Sequence, residues 1–525
     1  MQVDPAVVPV VETGRVIIVG AGLGGLYAAL SLAPHPVLMI SPEALGEGAS
    51  SAWAQGGIAA AMASADSPEA HAADTVKASA GIADPSVAAS VTAEARAHIL
   101  ELTALGTPFD RDAGGGYVLS REAAHGTARV VRVRGDQAGR EIMAALIAEV
   151  RKTPSVQVAE GLAALSLRVE LGRVTGVQVA AAGGCSGSIL LCGTAVLLAG
   201  GGSGGLYALT TNPPRIRGQV IGMAARAGAV ISDAEFVQFH PSAIDCGEDP
   251  APLATEALRG EGAILINRHG TRFMVPLHPD AELAPRDVVA RAVFAETQAG
   301  RCPMLDARKI HDLAHQFPAV FEACTRAGID PANQPIPIAA AAHYHMGGIK
   351  VSSTGSTTLP GLWACGEASA TGLHGANRLA SNGLLEALVY ARRAAKDIAL
   401  QVPACPITPV PLLLPPGGQN PHPALIDDLR QVMTAHVGVI RDVQGLQTAL
   451  TRIAALESQA KGDASFLNMT ATATLIAAAA LQREESRGAH CRLDFPATDP
   501  ALAHRSSLTL SEAMTLRNSL PESVK

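Results

Sequence analysis

The chain has 525 residues, a formal net charge of −7 and a pI near 6.1, and this length predicts two or three domains because it exceeds what one hydrophobic core supports. The acidic balance gives no electrostatic reason to expect nucleic acid or an anionic membrane as a partner. Eight cysteines lie scattered without a C-x-x-C pair, which argues against a zinc or iron–sulfur site and predicts unpaired thiols in a reducing compartment.

Neither a targeting signal nor a membrane span is indicated by the sequence. Residues 1–14 (MQVDPAVVPVVETG) carry early acidic residues, no basic flank and no long apolar core, so we expect no secretory signal. No apolar run reaches the ~18 residues of a membrane span, and the Ala-rich segment 471–481 is too short. We therefore predict a soluble cytoplasmic protein without membrane contact and without a bound metal.

The first elements in chain order predict the opening of a doubly wound sheet. Val16–Val19 is a β-branched run expected to form a buried strand, a helix is expected from about Gly24 to Ala33, and Val37–Ile40 predicts the next strand. This strand–helix–strand order is typical of a nucleotide-binding βαβ unit. Residues 86–104 and 138–151 carry helical periodicity.

The middle of the chain changes its composition twice. Residues 156–179 alternate apolar and polar side chains around Gly172, which predicts an antiparallel meander, and residues 194–199 predict another buried parallel strand. From about Phe236 to Met346 the residues are typical of loops rich in Pro and Arg, and a pattern like that of the N-terminal region returns at Gly361. We therefore predict a domain inserted into a discontinuous nucleotide-binding domain.

The C-terminal part is predicted to be a small helical domain. Residues 403–423 are Pro-rich and are expected to form a linker, while residues 425–456 and 471–485 show helical patterns. The predicted division is into a nucleotide-binding domain, an inserted domain and a helical domain: 1–236 with 347–408, then 237–346, then 409–525.

A glycine-rich motif follows the first strand. Residues 20–25 (GAGLGG) match G-x-G-x-x-G between a predicted strand and a helix. Gly20 permits the tight turn, Gly22 lets the backbone approach a pyrophosphate, and Gly25 lets the helix pack on the strand. The motif predicts a dinucleotide; a bare glycine-rich turn is the alternative.

Three further stretches favour FAD over NAD. Ser50–Gly57 (SSAWAQGG) offers small residues and an amide where a flavin ring lies against backbone, and residues 198–202 end a late strand in three glycines. Glu367 follows Gly366, and Ser381 opens a predicted helix whose dipole would stabilise a reduced flavin. Ser41 stands where an acidic ribose ligand is usual, so ribose binding depends on Ser41 or on Glu367.

Seven motifs recur in this order in one superfamily. The chain resembles the succinate dehydrogenase/fumarate reductase flavoproteins from residue 15 to about 496 and, within them, the L-aspartate oxidases. The resemblance implies an α/β Rossmann-like FAD-binding domain, an inserted α+β capping domain that closes over the flavin, and a C-terminal helical domain. The motifs are AQGGI (54–58), QFHP (238–241), TEALRGEGA (255–263), APRD (284–287), HYHMGG (343–348), GLHGANR (372–378) and ESRGAH (485–490).

The motifs and the resemblance together give a predicted set of FAD contacts. These residues are small, or they stand at a strand end or a helix start: Gly20, Gly22, Leu23, Gly24, Gly25, Ser41, Ser50, Ala54, Gln55, Gly56, Gly57, Gly200, Gly201, Glu367, Asn377, Ser381 and Leu384.

A dicarboxylate beside a flavin needs cations or strong donors at both ends and a proton-transfer group near the reacting carbons. Taken singly, His240 beside a proline is more often a loop residue, and Arg286 before Asp287 a surface ion pair. The resemblance implies instead that His240, Thr255, His343 and Arg378 bind the two carboxylates and that Arg286 transfers a proton.

Three further residues complete the predicted substrate site. Gln238 is expected to make a second polar contact, and Arg259 to contact substrate and, with Glu256 at i and i+3, to relay protons to Arg286. An unperturbed guanidinium, with a pKa above ~12, is a poor base. Arg286 therefore fits proton donation during fumarate reduction better, and its role in amine oxidation stays open. His345 departs from the family pattern and is expected to be a spectator.

Two positions separate the members of this superfamily. Related dicarboxylate dehydrogenases carry a neutral amide where this chain has Glu122, and aspartate oxidases carry Glu. A buried carboxylate pairs with the ammonium of aspartate but repels succinate, unless Glu122 is merely a helix-entry residue. Membrane-complex relatives carry at the Ser50 position a histidine bonded to FAD; serine predicts non-covalent FAD of lower potential, suited to oxidation by O2.

The residues and the resemblance together predict FAD-dependent oxidation of L-aspartate to iminoaspartate. O2, giving H2O2, or fumarate is the expected electron acceptor, and the resemblance places the reaction first in NAD biosynthesis, with its product passed to quinolinate synthase. A soluble fumarate reductase or succinate dehydrogenase flavoprotein subunit is the alternative enzyme. A non-catalytic flavin-binding module is the third possibility.

Overall fold

The computed structural model describes residues 8–184, 186–403, 408–417, 422–460 and 462–520. The strands are, in chain order, β1 (Val10–Glu12), β2 (Val16–Val19), β3 (Val37–Ser41), β4 (Ile58–Ala59), β5 (Leu119–Ser120), β6 (Val130–Val131), β7 (Val156–Glu160), β8 (Leu162–Glu170), β9 (Arg173–Ala181), β10 (Ile189–Cys192), β11 (Ala195–Leu198), β12 (Ile231–Ser232), β13 (Val237–Ile244), β14 (Ile264–Ile266), β15 (Met304–Asp306), β16 (Ile336–His345), β17 (Gly348–Lys350), β18 (Leu362–Ala364), β19 (Ser369–Ala370) and β20 (Ser507–Leu508). The α-helices are α1 (Leu23–Leu32), α2 (Pro68–Ala78), α3 (Pro85–Ala104), α4 (Ala138–Val150), α5 (Gln219–Arg226), α6 (Ala257–Gly260), α7 (Arg286–Gln298), α8 (Leu313–Gln316), α9 (Pro318–Arg326), α10 (Asn382–Gln401), α11 (Pro423–His436), α12 (Val443–Gln459), α13 (Ala464–Gln482) and α14 (Leu510–Asn518).

A parallel five-stranded sheet, in the order β18-β11-β2-β3-β7, forms the centre of the first domain. Strands β2, β3, β11 and β18 are buried, whereas the edge strand β7 is mostly half-buried. Alternate residues of a strand point to opposite faces, so both faces of the sheet are covered. Val16 and Ile18 of β2 pack with α1, α3, α4 and α10, whereas Ile17 and Val19 pack with β9, α5 and α13. Two apolar layers therefore hold the carboxyl ends of β2, β3 and β11 in fixed positions.

The predicted meander is correct except at its start. Residues 156–160 pair in parallel with β3 and extend the central sheet, because their apolar residues continue its buried layers. The antiparallel hairpin of β8 and β9 begins only at Leu162 and turns at Gly172, which has φ +74°. The predicted strands at β2, β3 and β11 and the helices α1, α3 and α4 are confirmed.

The region predicted as inserted contains more regular structure than its loop-like sequence suggested. Strands β13 and β16 pair antiparallel and lead into β15 and β14, and an apolar cluster of its own joins these strands to α7 and α9. After this region the chain returns to the central sheet, where β18 pairs with β11. The exact limits of the three domains stay a prediction.

The C-terminal region is helical, as predicted. Residues 425–456, expected to be helical, form two helices, because α11 ends at His436 and α12 starts afresh behind Asp442, whose side chain caps it. Helix α13 begins at Ala464 and is long and apolar enough to cross a membrane, but 78% of its apolar window is buried inside the protein. It is therefore a core helix. Within the Pro-rich segment, residues 404–407 and 418–421 lie outside the described residues, as do Cys185 and Cys405.

Candidate active site

A cavity of about 800 Å³ extends from the carboxyl ends of the central strands to the inserted region. Its size is that of a site for a large ligand. Most of the predicted cofactor residues line it: Gly20, Gly22, Leu23, Gly24, Ser41, Ser50, Ala54, Gln55, Gly56, Gly57, Gly200, Gly201, Glu367, Ser381 and Leu384.

The turn between β2 and α1 shapes one end of this cavity. Gly20 has φ +107°, and an added Cβ there would lie 2.4 Å from the carbonyl oxygen of Ala199. Helix α1 starts at Leu23, whose N–H donates to the Ser51 hydroxyl at 3.1 Å, behind Gly22, which offers no side-chain cap. The helix N-terminus therefore opens into the cavity, an arrangement that fits a pyrophosphate.

Two predicted cofactor contacts lie behind the cavity wall. An added Cβ at Gly25 would lie 2.0 Å from the Gly20 carbonyl oxygen, so this glycine allows the helix to pack on the turn. Asn377 donates through Nδ2 to the Ala78 carbonyl oxygen at 3.2 Å and accepts from Gln238 at 3.1 Å. Neither residue lines the cavity, because helix packing uses Gly25, as its place in the motif predicted, and internal hydrogen bonds use Asn377; a direct FAD contact of either residue stays a prediction.

Polar groups in the middle of the cavity are held by neighbours. Ser50 donates its hydroxyl to Asn212 Oδ1 at 3.1 Å, and Gln55 donates through Nε2 to the Leu253 carbonyl oxygen at 2.9 Å. Glu367 accepts from the His345 backbone N–H at 3.0 Å, while burial raises the pKa of Glu367 to about 7. The glycine cradle, the helix terminus and this carboxyl together fit the phosphates and hydroxyls of FAD.

The other end of the cavity is built from charged and polar side chains of distant segments. Glu122 comes from a loop, His240 from β13, Thr255 and Glu256 from the start of α6, Arg286 from the start of α7, His343 from β16, and Arg378 from the loop before α10. All of these residues line the cavity: Glu122, His240, Thr255, Glu256, Arg286, His343 and Arg378.

The two histidines lie side by side on paired strands, with ring centroids 5.0 Å apart. The Ser242 backbone N–H donates to His240 Nδ1 at 3.2 Å, and Thr211 Oγ1 lies 2.8 Å from His343 Nδ1. Burial, helped by Arg286, holds the pKa of His240 well below its ordinary value. Neutral His240 therefore carries its proton on Nε2, where it can donate to an anion.

Arg286 and Arg378 are both hydrogen-bonded to the Gln238 side chain. Gln238 Oε1 accepts from an Arg286 terminal nitrogen at 3.1 Å and from Arg378 Nε at 3.3 Å. The Arg378 guanidinium lies over the Tyr344 ring, 4.1 Å from its centroid, and burial lowers its pKa only to about 10, so it stays charged. Gln238 itself lies behind the wall; it orients the arginines and does not line the cavity.

Glu256 connects Arg286 to Arg259. Its carboxylate pairs with Arg286 Nε and lies 3.4 Å from Arg259. Burial opposes ionisation of Glu256, but the two arginines outweigh burial and hold its pKa below the ordinary value. Arg259 donates to the Glu282 carbonyl oxygen and does not line the cavity, so its predicted substrate contact stays a prediction, while its place beside Glu256 fits the predicted relay.

Glu122 is buried beside these cations. Burial, followed by the negative charge of Glu256, raises the pKa of Glu122 to about 7, although Arg286, Ser381 and Arg378 oppose that shift. Its Oε2 accepts from the Ser381 hydroxyl at 2.9 Å. Residues 105–137 are all described and contain no helix, so the alternative role of Glu122 as a helix-entry residue was wrong.

Sequence reasoning missed three supporting residues. Thr211 orients His343, Asn212 donates to the His343 carbonyl oxygen at 2.8 Å, and Tyr344 lies beneath Arg378. Tyr344 was findable, because it stands inside the HYHMGG motif; Thr211 and Asn212 carry no local signal. His345 lies outside the cavity, between Ser203 Oγ and the Ala234 carbonyl oxygen at 3.0 Å each.

Comparisons with known proteins agree with this geometry. The family model "FAD binding domain" matches residues 15–384, and "Fumarate reductase flavoprotein C-term" matches residues 463–520. The chain is 53% identical to the L-aspartate oxidase of Caulobacter vibrioides, with 92% of this chain and 94% of the relative covered, and 44% identical to that of Agrobacterium fabrum, with 97% and 96% covered. Among solved structures it is similar to FrdA of E. coli quinol fumarate reductase, with a TM-score of 0.83, 27% identity, and 94% and 93% of the two chains covered.

These matches confirm the predicted fold class, a Rossmann-like FAD-binding domain joined to a capping region and a C-terminal helical domain. They also confirm the predicted resemblance over nearly the full chain. The chain belongs to the L-aspartate oxidase family of FAD-dependent oxidoreductases.

Proposed function

We propose that this chain oxidises L-aspartate to iminoaspartate, with Glu122 selecting the substrate amine. The observation that carries the proposal is the Glu122 carboxylate, which lies in the cavity wall with arginines and neutral histidines, while the other carboxylate, Glu256, is paired with Arg286. Arg259, Arg286 and Arg378 against Glu122 and Glu256 leave one net positive charge. Aspartate carries one net negative charge at neutral pH, whereas succinate carries two and has no ammonium for Glu122.

The carboxylates of the substrate have separate partners. Arg378 is held by Tyr344 and Gln238 with its charge intact, so its planar fork suits one carboxylate. Neutral His240, with Nε2–H facing the cavity, and His343 and Thr255 offer uncharged donors to the other. Donors fixed by neighbours before binding lose little entropy when substrate arrives.

Protons are handled by two groups. A carboxyl with a pKa near 7 is suited to accept the ammonium proton at neutral pH, so Glu122 both pairs with the amine and takes its proton. Arg286 lies against Glu256, which links it to Arg259. This chain of groups suits proton delivery to fumarate in the reductive direction, since a protonated guanidinium is a donor and a poor base.

The cofactor would lie along the cavity between the two ends. The residues proposed to hold it are the 20–24 turn, Gly200–Gly201, Glu367 and the segment opening α10. When bound, FAD supplies the two-electron acceptor for the hydride that leaves the substrate Cα. FAD is proposed to be bound non-covalently, because serine lacks the nucleophilic nitrogen of histidine and the Ser50 hydroxyl donates its hydrogen bond to Asn212.

Electrons are proposed to pass finally to O2, giving H2O2, or to fumarate. Fumarate has the two carboxylates of aspartate, so the same clamp accommodates it. We further propose a cytoplasmic location, transfer of iminoaspartate to a quinolinate synthase, and domain limits at 1–236 with 347–408, 237–346 and 409–525.

Glu122→Gln tests the function. Loss of the charge should lower kcat/KM for aspartate by about ten- to a thousand-fold, while fumarate reduction with an artificial electron donor survives or improves. The measurement is the steady-state rate of aspartate oxidation divided by that of fumarate reduction, compared between the variant and the wild type. Equal loss of both activities would contradict amine selection, and an unchanged ratio near wild-type rates would favour a fumarate reductase or succinate dehydrogenase subunit.

A matched control is Glu367→Gln. This carboxyl also lines the cavity and its pKa is likewise raised to about 7, but it lies at the cofactor end. Its loss should change FAD retention and leave the ratio of the two activities as in the wild type. The two variants together separate selection of the amine from general damage to the cavity.

A further inference from the structure

The hydroxyl of Ser381 is a hydrogen-bond partner of Glu122. Ser381 Oγ donates to Glu122 Oε2 at 2.9 Å. A serine hydroxyl has one proton to donate, so this contact uses the only donor of the Ser381 side chain. Although Ser381 lines the cavity at the start of α10, its hydroxyl proton is directed to Glu122 and not to a cofactor.

Two further contacts fix the positions of the Glu122 and Ser381 segments. His125, three residues after Glu122, lies with Nε2 3.0 Å from the Ala380 carbonyl oxygen. The Ala59 backbone N–H donates to the Ser381 carbonyl oxygen at 3.2 Å. Ser381 has φ +62°, a left-handed conformation that serine adopts only when its surroundings impose it. The placement of the hydroxyl is therefore determined by the fold.

Space for the pair is provided by Gly56. An added Cβ at this position would lie 2.4 Å from Glu122 Oε1 and 3.1 Å from Ser381 Oγ. Any larger residue would push the carboxylate away from the hydroxyl. The glycine predicted to pass close to the flavin thus also leaves room for the Glu122–Ser381 contact.

Four charged groups face Glu122 from the elements packed against it. Glu256, Arg259 and Arg286 belong to the inserted region, and Arg378 belongs to the loop before α10. Burial and Glu256 favour the protonated form of Glu122, whereas Arg286, the Ser381 hydroxyl and Arg378 favour the ionised form. Ser381 is the neutral donor that the structure provides.

We propose that Ser381 is a positioning residue for substrate selection, which stabilises the ionised form of Glu122 and aims it at the amine of the substrate. This inference rests on the proposed role of Glu122. Removing the hydroxyl destabilises the carboxylate relative to the acid, so the pKa of Glu122 rises. Since the carboxylate is the form that binds ammonium, the ascending limb of the aspartate pH profile then moves to higher pH.

Ser381→Ala is the test, with Ser381→Gly as a second variant that removes the same hydroxyl and tolerates the left-handed backbone. Both should lower kcat/KM for aspartate at pH 7 by about five- to ten-fold, the effect expected from one hydrogen bond to a charged group, and both should recover toward wild type near pH ~9. Fumarate reduction should fall less than aspartate oxidation, because fumarate has no ammonium for Glu122 to bind. Ser166→Ala is the matched control, because its hydroxyl also donates across 2.9 Å to a side-chain oxygen, that of Gln178, in the β8–β9 hairpin.

A double-mutant cycle with Glu122→Gln separates the two proposals. If Ser381 acts through Glu122, its loss has no further effect once the charge is gone. A Ser381→Ala effect that is equal at all pH values, that persists in the Glu122→Gln background, or that changes the flavin absorbance or FAD retention would overturn the inference. If Glu122→Gln itself leaves the activity ratio unchanged, the proposed function fails first. If that ratio changes but Ser381→Ala behaves as wild type, only this inference fails.

Discussion

The two ends of the cavity are built in different ways. At the nucleotide end, consecutive residues 20–24 and two glycines after β11 present backbone to the ligand, with Glu367 as the nearby carboxyl. At the substrate end, charged and polar side chains come from two loops, two paired strands and the starts of two helices. One end recognises by close backbone approach and helix N–H donors, and the other by buried charges that set each other's protonation.

This difference shows where each end is vulnerable. A backbone cradle fails sterically, because an added Cβ at Gly20 would meet the Ala199 carbonyl oxygen and displace the turn. A buried charge cluster fails electrostatically, because removing one ion leaves its partner unpaired in a dry site. Substitutions at the first end should therefore remove the cofactor, and substitutions at the second should spare the cofactor and alter kinetics.

Gly20→Ala should have the largest effect. Its Cβ would meet the Ala199 carbonyl oxygen at 2.4 Å, and φ +107° is unfavourable for alanine, so the variant should lose essentially all FAD. The ratio of flavin to protein absorbance measures the loss. Gly172→Ala is the control: it also has a positive φ, but nothing lies within 4 Å of its added Cβ, so FAD should remain.

Acid precipitation of the wild-type protein completes that experiment. All flavin should appear in the supernatant, since Ser50 offers no covalent attachment. A protein band that stays fluorescent after denaturation would contradict non-covalent binding. Full FAD retention by Gly20→Ala would contradict the steric requirement at the nucleotide end.

Arg378→Leu and His240→Ala come next and test the substrate end. Each removes a charge-assisted or buried contact to a substrate carboxylate, so KM for aspartate should rise and kcat/KM should fall. The fall should correspond to a loss of roughly 2–4 kcal/mol of transition-state stabilisation. FAD content should stay at the wild-type level. Arg378→Lys sharpens the test, because lysine keeps the charge but loses the fork and the stacking on Tyr344. Wild-type kinetics in Arg378→Leu or His240→Ala would remove that residue from the site.

Sequence reasoning succeeded most fully where the site is local. The glycine motif, the strand before it and the helix after it lie within one short segment, so their joint pattern specifies the nucleotide end. The substrate residues were found through motif resemblance, because no pattern within one segment indicates that His240 and Arg378 meet. The placements of Gln238, Arg259 and Asn377 behind the wall depend on hydrogen bonds between segments more than a hundred residues apart or on ion pairs at α6.

The β13–β16 pair gives a sharper example of what sequence could not supply. Strand periodicity places His343 and His345 on the same face. In the structure Gln238 pairs with Tyr344 but Phe239 pairs with Ala342, so the register shifts by one residue at His343. Such an irregularity re-aims a side chain, and here it turns His343 toward the cavity while His345 points away from it.

His345→Ala should therefore have the smallest kinetic effect, although it stands two residues from His343. Burial lowers the pKa of His345 to about 4, so the ring is neutral at working pH, and its hydrogen bonds go to Ser203 and the Ala234 carbonyl oxygen. Removing it leaves two buried partners unsatisfied and should reduce the free energy of unfolding by about 2 kcal/mol. kcat/KM for aspartate should stay within about two-fold of wild type, because no substrate-facing group is lost.

His343→Ala should show the reverse, a large kinetic loss with FAD retained. Denaturant unfolding followed by flavin fluorescence, with steady-state kinetics on the same samples, measures both quantities. A ten-fold kinetic loss in His345→Ala at unchanged stability would place His345 among the substrate residues and contradict the re-aiming of His343 by the register shift.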